Sequence, residues 1–435
     1  MRLGNINNSL WLLLAAVLSA TGVWLFAEQM VPLQIADDIA HDRPRGNLSD
    51  LYPRWLGARE LLLHGRDPYS SAVTREIQEG FYGRPLDPVQ PGDPQDQEGF
   101  AYPVYVVFYL APTVHLPFKI VRKQFFWLLL GLTIATVPLW LRALRWRVSW
   151  ATSVSFVILT VGSLPASQGL KLQQMTLLVV ALLAAAMALL VSGWPLAAGI
   201  LLALATIKPQ LVWFVVIWWT IWTLADIRHR YRWAASFLLT MALLLVASEW
   251  YLPHWIPRFL QAVREYTEYT GAASTIDRML PRPWGLLLGI LTAGATLQVC
   301  WKNRKFAQDT SAFAAANCLV LAMTVILTPV SNYALYNQVL LLPAVLMLAR
   351  ERQQIWGANR VSRLLLSLTA ILLLWPWLTN VVLSALSFVL PLEVVHRAWV
   401  VPFWTVLPFP LAVAAMVLNT NYQRRFATDP VPGAS

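Results

Sequence analysis

Long apolar runs alternate with short polar breaks along this chain, and their spacing predicts helices that cross a membrane. A crossing helix needs about 20 mostly apolar residues. Runs of this kind fall at 9–28, 124–142, 149–166, 173–191, 211–224, 233–252, 284–300, 312–328, 337–349, 361–381 and 399–419, with a shorter one at 194–206. With the short run counted, the pattern predicts about twelve crossings. Only Arg2 precedes the first run and no small-residue cleavage site follows it, so it reads as a retained anchor.

One polar segment interrupts the series. Gln34 to Gln97 holds half of the chain's 22 acidic residues, among them Asp37, Asp38, Asp42, Asp50, Glu60, Asp67, Glu76 and Asp93. Chemistry that needs a carboxylate has few other places to sit. Within the segment, the middle of the run from Asp50 to Tyr69 reads as a short helix with Trp55, Ala58, Leu62 and Leu63 on one face and Gly65 as its stop. Asp50 stands near the first turn, where an acid either complements the helix dipole or is held for reaction. His64 and Asp67 lack a second ligand at metal spacing, and no metal site is expected.

Composition agrees with the pattern. Hydrophobic residues are 57% of the chain and charged ones 13%, more apolar surface than a soluble fold can bury. The net charge of +11 does not indicate nucleic acid, because Lys and Arg fall in short clusters between apolar runs, as in cytoplasmic loops. These clusters are Arg142/Arg145/Arg147, Arg228/Arg230/Arg232, Lys302/Arg304/Lys305, Arg350/Arg352/Arg363 and Arg424/Arg425. A full crossing at 101–117 would place every later cluster outside. That Pro-containing stretch (Tyr102-Pro103, Pro112, Pro117) is therefore expected to be re-entrant or to lie on the surface.

The expected layout is a single all-α polytopic unit over 1–435, with a long first outer loop (29–121) carrying short interfacial helices and a second (253–283) carrying an amphipathic segment. Gln168–Gln174, Lys208-Pro209 and Thr328–Gln338 then share the outer side. Cys300 and Cys318 lie in apolar surroundings without paired spacing and read as core thiols.

Lys208 lies between two apolar runs, and Pro209 beside it opens the helix. A charge at membrane depth either snorkels to the interface or serves a function, here contact with a phosphate. Gln173-Gln174-Met175-Thr176 opens one span, and Ser331-Asn332-Tyr333-Ala334-Leu335-Tyr336-Asn337-Gln338 follows Thr328-Pro329. Singly these are ordinary interfacial residues, but together they outline a polar cavity facing the acidic loop. There is no Walker loop, dinucleotide fingerprint, His-Glu-x-x-His or nucleotide-sized soluble domain. A reaction here has to draw on an activated substrate resident in the membrane.

The order of features resembles a known family. It runs from Asp50 through Gly65-Arg66-Asp67-Pro68-Tyr69 and Phe100-Ala101-Tyr102-Pro103 to a Gln-led span, Lys208-Pro209 and a Thr-Pro/Ser-x-Tyr loop. This is similar to the GT-C glycosyltransferases of family 87, the polyprenyl-phosphate-dependent mannosyltransferases that include phosphatidylinositol mannoside enzymes. The resemblance implies a GT-C fold, a polyprenyl-phosphate-linked sugar donor, a lipid or glycan acceptor and an active site on the outer face of a bacterial plasma membrane. It also implies inversion at the sugar carbon with no cofactor and no obligatory metal.

Carried over by position, Asp50 falls on the catalytic aspartate, Tyr102-Pro103 on a Tyr-Pro-Pro, Gln174 on the Gln of a Gly-Gln pair and Lys208-Pro209 on a Lys-Pro. Val104 replaces the second Pro, Gln173 replaces the Gly, and Asn337 or Gln338 stands where the family has His or Asp. On this reading Lys208, Arg54 and Arg59 receive the donor phosphate. Tyr52, Tyr102, Gln174, Asn332, Tyr336, Asn337 and Gln338 contact substrate, and bulk membrane lipids surround the protein. The main alternative is a transporter or flippase of a lipid-linked sugar, which predicts internal repeats and charges along a through-path.

Overall fold

A computed structural model of the chain describes residues 8–41, 49–87, 93–94, 97–281, 283–330 and 334–428. The described residues form helices joined by turns, with one isolated antiparallel bridge between Ala273 and Val330. Among the described residues, six helical stretches are long and apolar enough to cross a membrane: Ser9–Ala40, Phe118–Ala143, Ile227–Tyr251, Trp284–Asn303, Arg360–Leu386 and Leu392–Asn421. The pair Trp150–Val161 and Leu164–Lys171, bent by 57°, makes a seventh if it is one span. Four shorter apolar helices are Met175–Val191, Pro195–Ala205, Trp213–Leu224 and Ser311–Leu327.

In chain order, α1 (Asn8–Trp24) passes through a π-helical turn at Leu25–Met30 into α2 (Val31–Ala40). The first outer loop, expected from residue 29, is thus still helical to Ala40. The cause is packing: Leu25, Phe26 and Met30 are buried against Trp399 and Phe403 near the other end of the chain. The loop then holds α3 (Tyr52–His64), α4 (Ser71–Tyr82) and α5 (Val106–Leu110). Gly65 closes α3 at a φ of 65°, a left-handed cap open to glycine without strain. The Ser70 side chain caps α4 by accepting from Val73 N. The Pro-containing stretch 101–117 is no crossing: it makes only α5 and a 3-10 turn at Ala111–Thr113.

There follow α6 (Phe118–Ala143), α7 (Trp150–Val161), α8 (Leu164–Lys171), α9 (Met175–Val191), α10 (Pro195–Ala205) and α11 (Trp213–Leu224). Next come α12 (Ile227–Tyr251), α13 (Trp255–Thr270), α14 (Thr275–Met279), α15 (Trp284–Asn303) and α16 (Ser311–Leu327). The chain closes with α17 (Leu342–Ala358), α18 (Arg360–Leu386), α19 (Leu392–Ala398) and α20 (Pro408–Thr428). The run expected at 337–349 is a 3-10 turn, Leu335–Leu341, leading into α17.

Apolar helices sort by burial. α9 and α16 are apolar all round and buried along most of their length, whereas the apolar windows of α12, α15 and α18 are only 17% buried. The first pair forms the centre and the second presents its apolar side outward, where only lipid suits it.

The polar loops gather at two ends. At one, Arg142 Nε donates to Ser192 Oγ (2.9 Å), Arg145 pairs with Asp309 (2.7 Å), and Arg230 Nη1 donates to the Trp222 and Arg304 carbonyls at 2.7 and 2.6 Å. Arg350 reaches the Leu144 carbonyl there. The other end holds Asp50, whose N–H donates to Leu172 O at 3.0 Å, and Tyr105, whose hydroxyl donates to Thr206 O at 2.9 Å. α6 starts at this second end, where Phe118 meets Tyr52, and finishes at the first, about 39 Å away at 1.5 Å per residue.

Candidate functional site

A cavity of about 330 Å³ opens at the end that holds the acidic loop. Asp50, Arg54, Glu98, Tyr102, Gln174, Lys208, Tyr336 and Asn337 line it, and Phe259, Leu260, Val263 and Tyr266 of α13 line one side.

Asp50 is fixed before its carboxylate is used. Its N–H donates to Leu172 O, and the neighbouring Ser49 Oγ donates to Gln173 Oε1 at 2.7 Å, so the start of α3 is fastened to the turn that opens α9. Gln173 takes a φ of 47° in that turn, and its side-chain amide donates to Leu170 O at 2.6 Å. The next residue, Gln174, then points its side chain at Asp50, and its Nε2 donates to Asp50 Oδ2.

The other atom of the same amide faces the lysine. Lys208 Nζ donates to Gln174 Oε1 at 2.7 Å and to Thr176 Oγ1 at 2.9 Å, and Thr176 donates on to Asn337 Oδ1 at 3.2 Å. Lys208 can sit here because α10 ends at Ala205 and α11 starts at Trp213, with only a 3-10 turn at Pro209–Leu211 between them. It is 7% exposed, so it does not snorkel into open water. Its ammonium lies 5.6 and 5.3 Å from the ring centroids of Tyr102 and Tyr336. Two of its three protons have acceptors among the described residues, and the third has none.

A second cation stands on the α3 side. Arg54 is 8% exposed, stacks 4.7 Å over the Tyr102 ring, donates from Nη1 to Asp50 O at 2.7 Å and lies 3.8 Å from Glu98. Its Nε is buried with no hydrogen-bond partner. Buried donors are nearly always paired, so Arg54 and Lys208 together leave donor capacity for an anion. Burial, then the charge of Asp50, pushes the Tyr336 phenol well up, so it remains a hydroxyl.

Three expected contacts lie elsewhere. Arg59 is five residues beyond Arg54, about 140° around a helix of 3.6 residues per turn, and rests on Trp55 outside the cavity. Tyr52 packs edge-on against Phe118, and a Cβ at Gly80 would lie 1.7 Å from its hydroxyl oxygen. Gln338 turns its amide to the Val406 carbonyl at 3.1 Å. None of these three lines the cavity. Asn332 lies outside the described residues.

Glu98 and Tyr266 are not singled out by the sequence as contacts, and Thr176 is marked only as part of the polar turn that opens a span. Glu98 stands one residue past the acidic segment, and its positive φ of 50° is the one local mark of a special position. Among the described residues no group of three or more His, Cys, Asp or Glu forms a metal-holding cluster.

The family model of glycosyltransferase family 87 matches residues 100–329, more than half of the chain. The match takes in Tyr102, Gln174, Lys208 and Thr328-Pro329, and it stops short of Asp50 and Asn337. No curated protein and no solved structure matches.

Proposed function

We propose that this chain, which belongs to glycosyltransferase family 87, moves a hexose, read as mannose, from a polyprenyl-phosphate donor to a hydroxyl of a lipid or glycan acceptor. The observation that carries the reading is the Gln174 amide, which holds the Asp50 carboxylate on one side and the Lys208 ammonium on the other inside one cavity. An acid and a cation kept apart in this way serve two different atoms of one reaction.

Asp50 is the general base. It takes the acceptor hydroxyl proton as that oxygen bonds the anomeric carbon, the bond from that carbon to the phosphate oxygen breaks, and the electron pair leaves with polyprenyl phosphate. Attack from the face opposite the leaving group inverts the configuration. Lys208 and Arg54 stabilise the charge growing on the phosphate, and base assistance contributes about 10²–10⁴-fold. The hydroxyl of Tyr336 and the amide of Asn337 suit sugar hydroxyls. No cofactor or metal enters this scheme.

The architecture assigned is of the GT-C type with about twelve crossings, counting the four short apolar helices, the bent pair and α17 as spans beside the six long helices. Support comes from the polar loops meeting at two ends with the basic clusters opposite the cavity, which the charge rule assigns to the cytoplasm. The cavity then faces outward across the plasma membrane. A carrier of the same lipid-linked sugar is disfavoured because the polar residues that line the cavity gather at one end of the described helices.

The test uses purified protein in liposomes with labelled polyprenyl-phosphate mannose and extracted lipids. Sugar transfer is expected from the parent protein and not from Asp50→Asn. Full transfer by that variant would remove the base assignment, and donor movement without bond cleavage would favour the carrier.

A further inference from the structure

The side of α3 turned from the cavity carries a cation of its own. The Arg59 guanidinium lies 5.6 Å from the Trp55 ring centroid, and its Nε is buried without a hydrogen-bond partner. Trp55 packs on Phe118 with ring centroids 5.3 Å apart. Phe118 begins α6, whose first turns carry Lys119, Arg122 and Lys123. Among the described residues none of these four cations has an ion pair. Glu60 of the same helix and Glu76 of α4 are both taken by Arg66 at 2.7 and 2.6 Å.

Unpaired basic residues at the entry of a span are ordinary at the opposite end of this molecule, where the other clusters lie. Here they stand at the cavity end, beside an acidic loop whose described acids form no ion pair with them. Lys119 and Lys123 are exposed, and Trp127, 60% exposed, follows one turn further into the helix. Tryptophan is enriched at the level of the lipid headgroups, and Trp127 one turn inside the cations fits them to the depth of lipid phosphates. Stacking on Trp55 restrains Arg59, and its planar fork suits a phosphate.

We propose that Arg59, Lys119, Arg122 and Lys123 hold the phosphate of an anionic phospholipid headgroup at the membrane surface, apart from the cavity. The site depends on the membrane placement of the chain and not on sugar transfer, so it is tested without the donor.

Cys300 and Cys318 are buried, which allows one fluorescent label on the exposed position 124 through Gln124→Cys. The labelled protein is placed in phosphatidylcholine nanodiscs containing brominated phosphatidylglycerol or brominated phosphatidylcholine at equal mole fraction. Brominated phosphatidylglycerol is expected to quench about fivefold more strongly, and Arg59→Gln with Arg122→Gln to bring the two lipids to parity. Equal quenching in the labelled parent, or a preference untouched by the double variant, overturns the proposal. If the arginine variant does not fold, Lys119→Gln with Lys123→Gln, at exposed positions, decides: the preference falls if the site is real and stays if it is not. Millimolar inorganic phosphate that abolishes the preference would assign a small-anion site and overturn the lipid reading.

Discussion

Arg54 and Arg59 sit on the same helix, five residues apart, and each lies against an aromatic ring, yet they belong to different environments. Arg54 is closed in by Tyr102, Glu98 and the Asp50 carbonyl at the wall of the cavity. Arg59 rests on Trp55 on the far side and forms no ion pair among the described residues. The difference teaches that a charge's role in this loop follows from helical phase and neighbours. Near Arg54 a buried cation is balanced by acids and still has a donor to spare, which fits a transient anionic group. Near Arg59 the cations are unbalanced and partly wet, which fits a permanent anionic surface.

The largest effect should come from the cavity side. Asp50→Asn keeps the shape of the side chain and its contact with Gln174, and it should lower transfer by about 10²–10⁴-fold while leaving thermal unfolding in detergent close to the parent. A smaller loss in single-turnover assays would make Asp50 a positioning group. Removing one donor from the phosphate should cost about 10²-fold, so Lys208→Gln and Arg54→Gln are expected to cut kcat/KM for the donor by that order. Arg59→Gln should cost at least ten times less in the same assay, and equal losses at the two arginines would erase the contrast between the faces of α3.

Gly57 lies between these faces. A Cβ there would come within 2.3 Å of the Phe100 ring, so Gly57→Ala should lower stability by about 1–3 kcal/mol and disturb Tyr102 two residues on. Denaturation together with donor KM would show whether the cavity wall moves first. The smallest effect is expected at the Arg258–Asp67 pair, 2.8 Å apart, which ties α13 to the loop beyond α3. A partly exposed pair of this kind contributes about 0–1 kcal/mol, so Arg258→Gln should quicken hydrogen exchange in α13 with little change in overall unfolding.

Much of the cavity could be read from the chain because its residues stand out locally. Lys208 beside Pro209 breaks an apolar run, and Gln174 opens one. Asp50 heads a short helix in the acidic segment. Glu98 was missed because nothing in its neighbours marks it, and its place depends on Arg54 approaching from another element. Tyr52, Arg59 and Gln338 are expected at the substrate from the motifs beside them, and none of the three lines the cavity. Each is turned away by the rotation of a helix or 3-10 turn, which composition does not report.

The sequence by itself determined the membrane class, the family motifs and the division of charge into an acidic loop and basic clusters, because these follow from the lengths and periods of apolar runs. Tertiary structure alone decided that one amide bridges Asp50 and Lys208, 158 positions apart in the chain, and that α2 extends the first helix past its apolar run. It also parted Arg54 from Arg59. Such relations depend on which helix faces pack together, and packing joins residues far apart in the chain through contacts that no local pattern encodes.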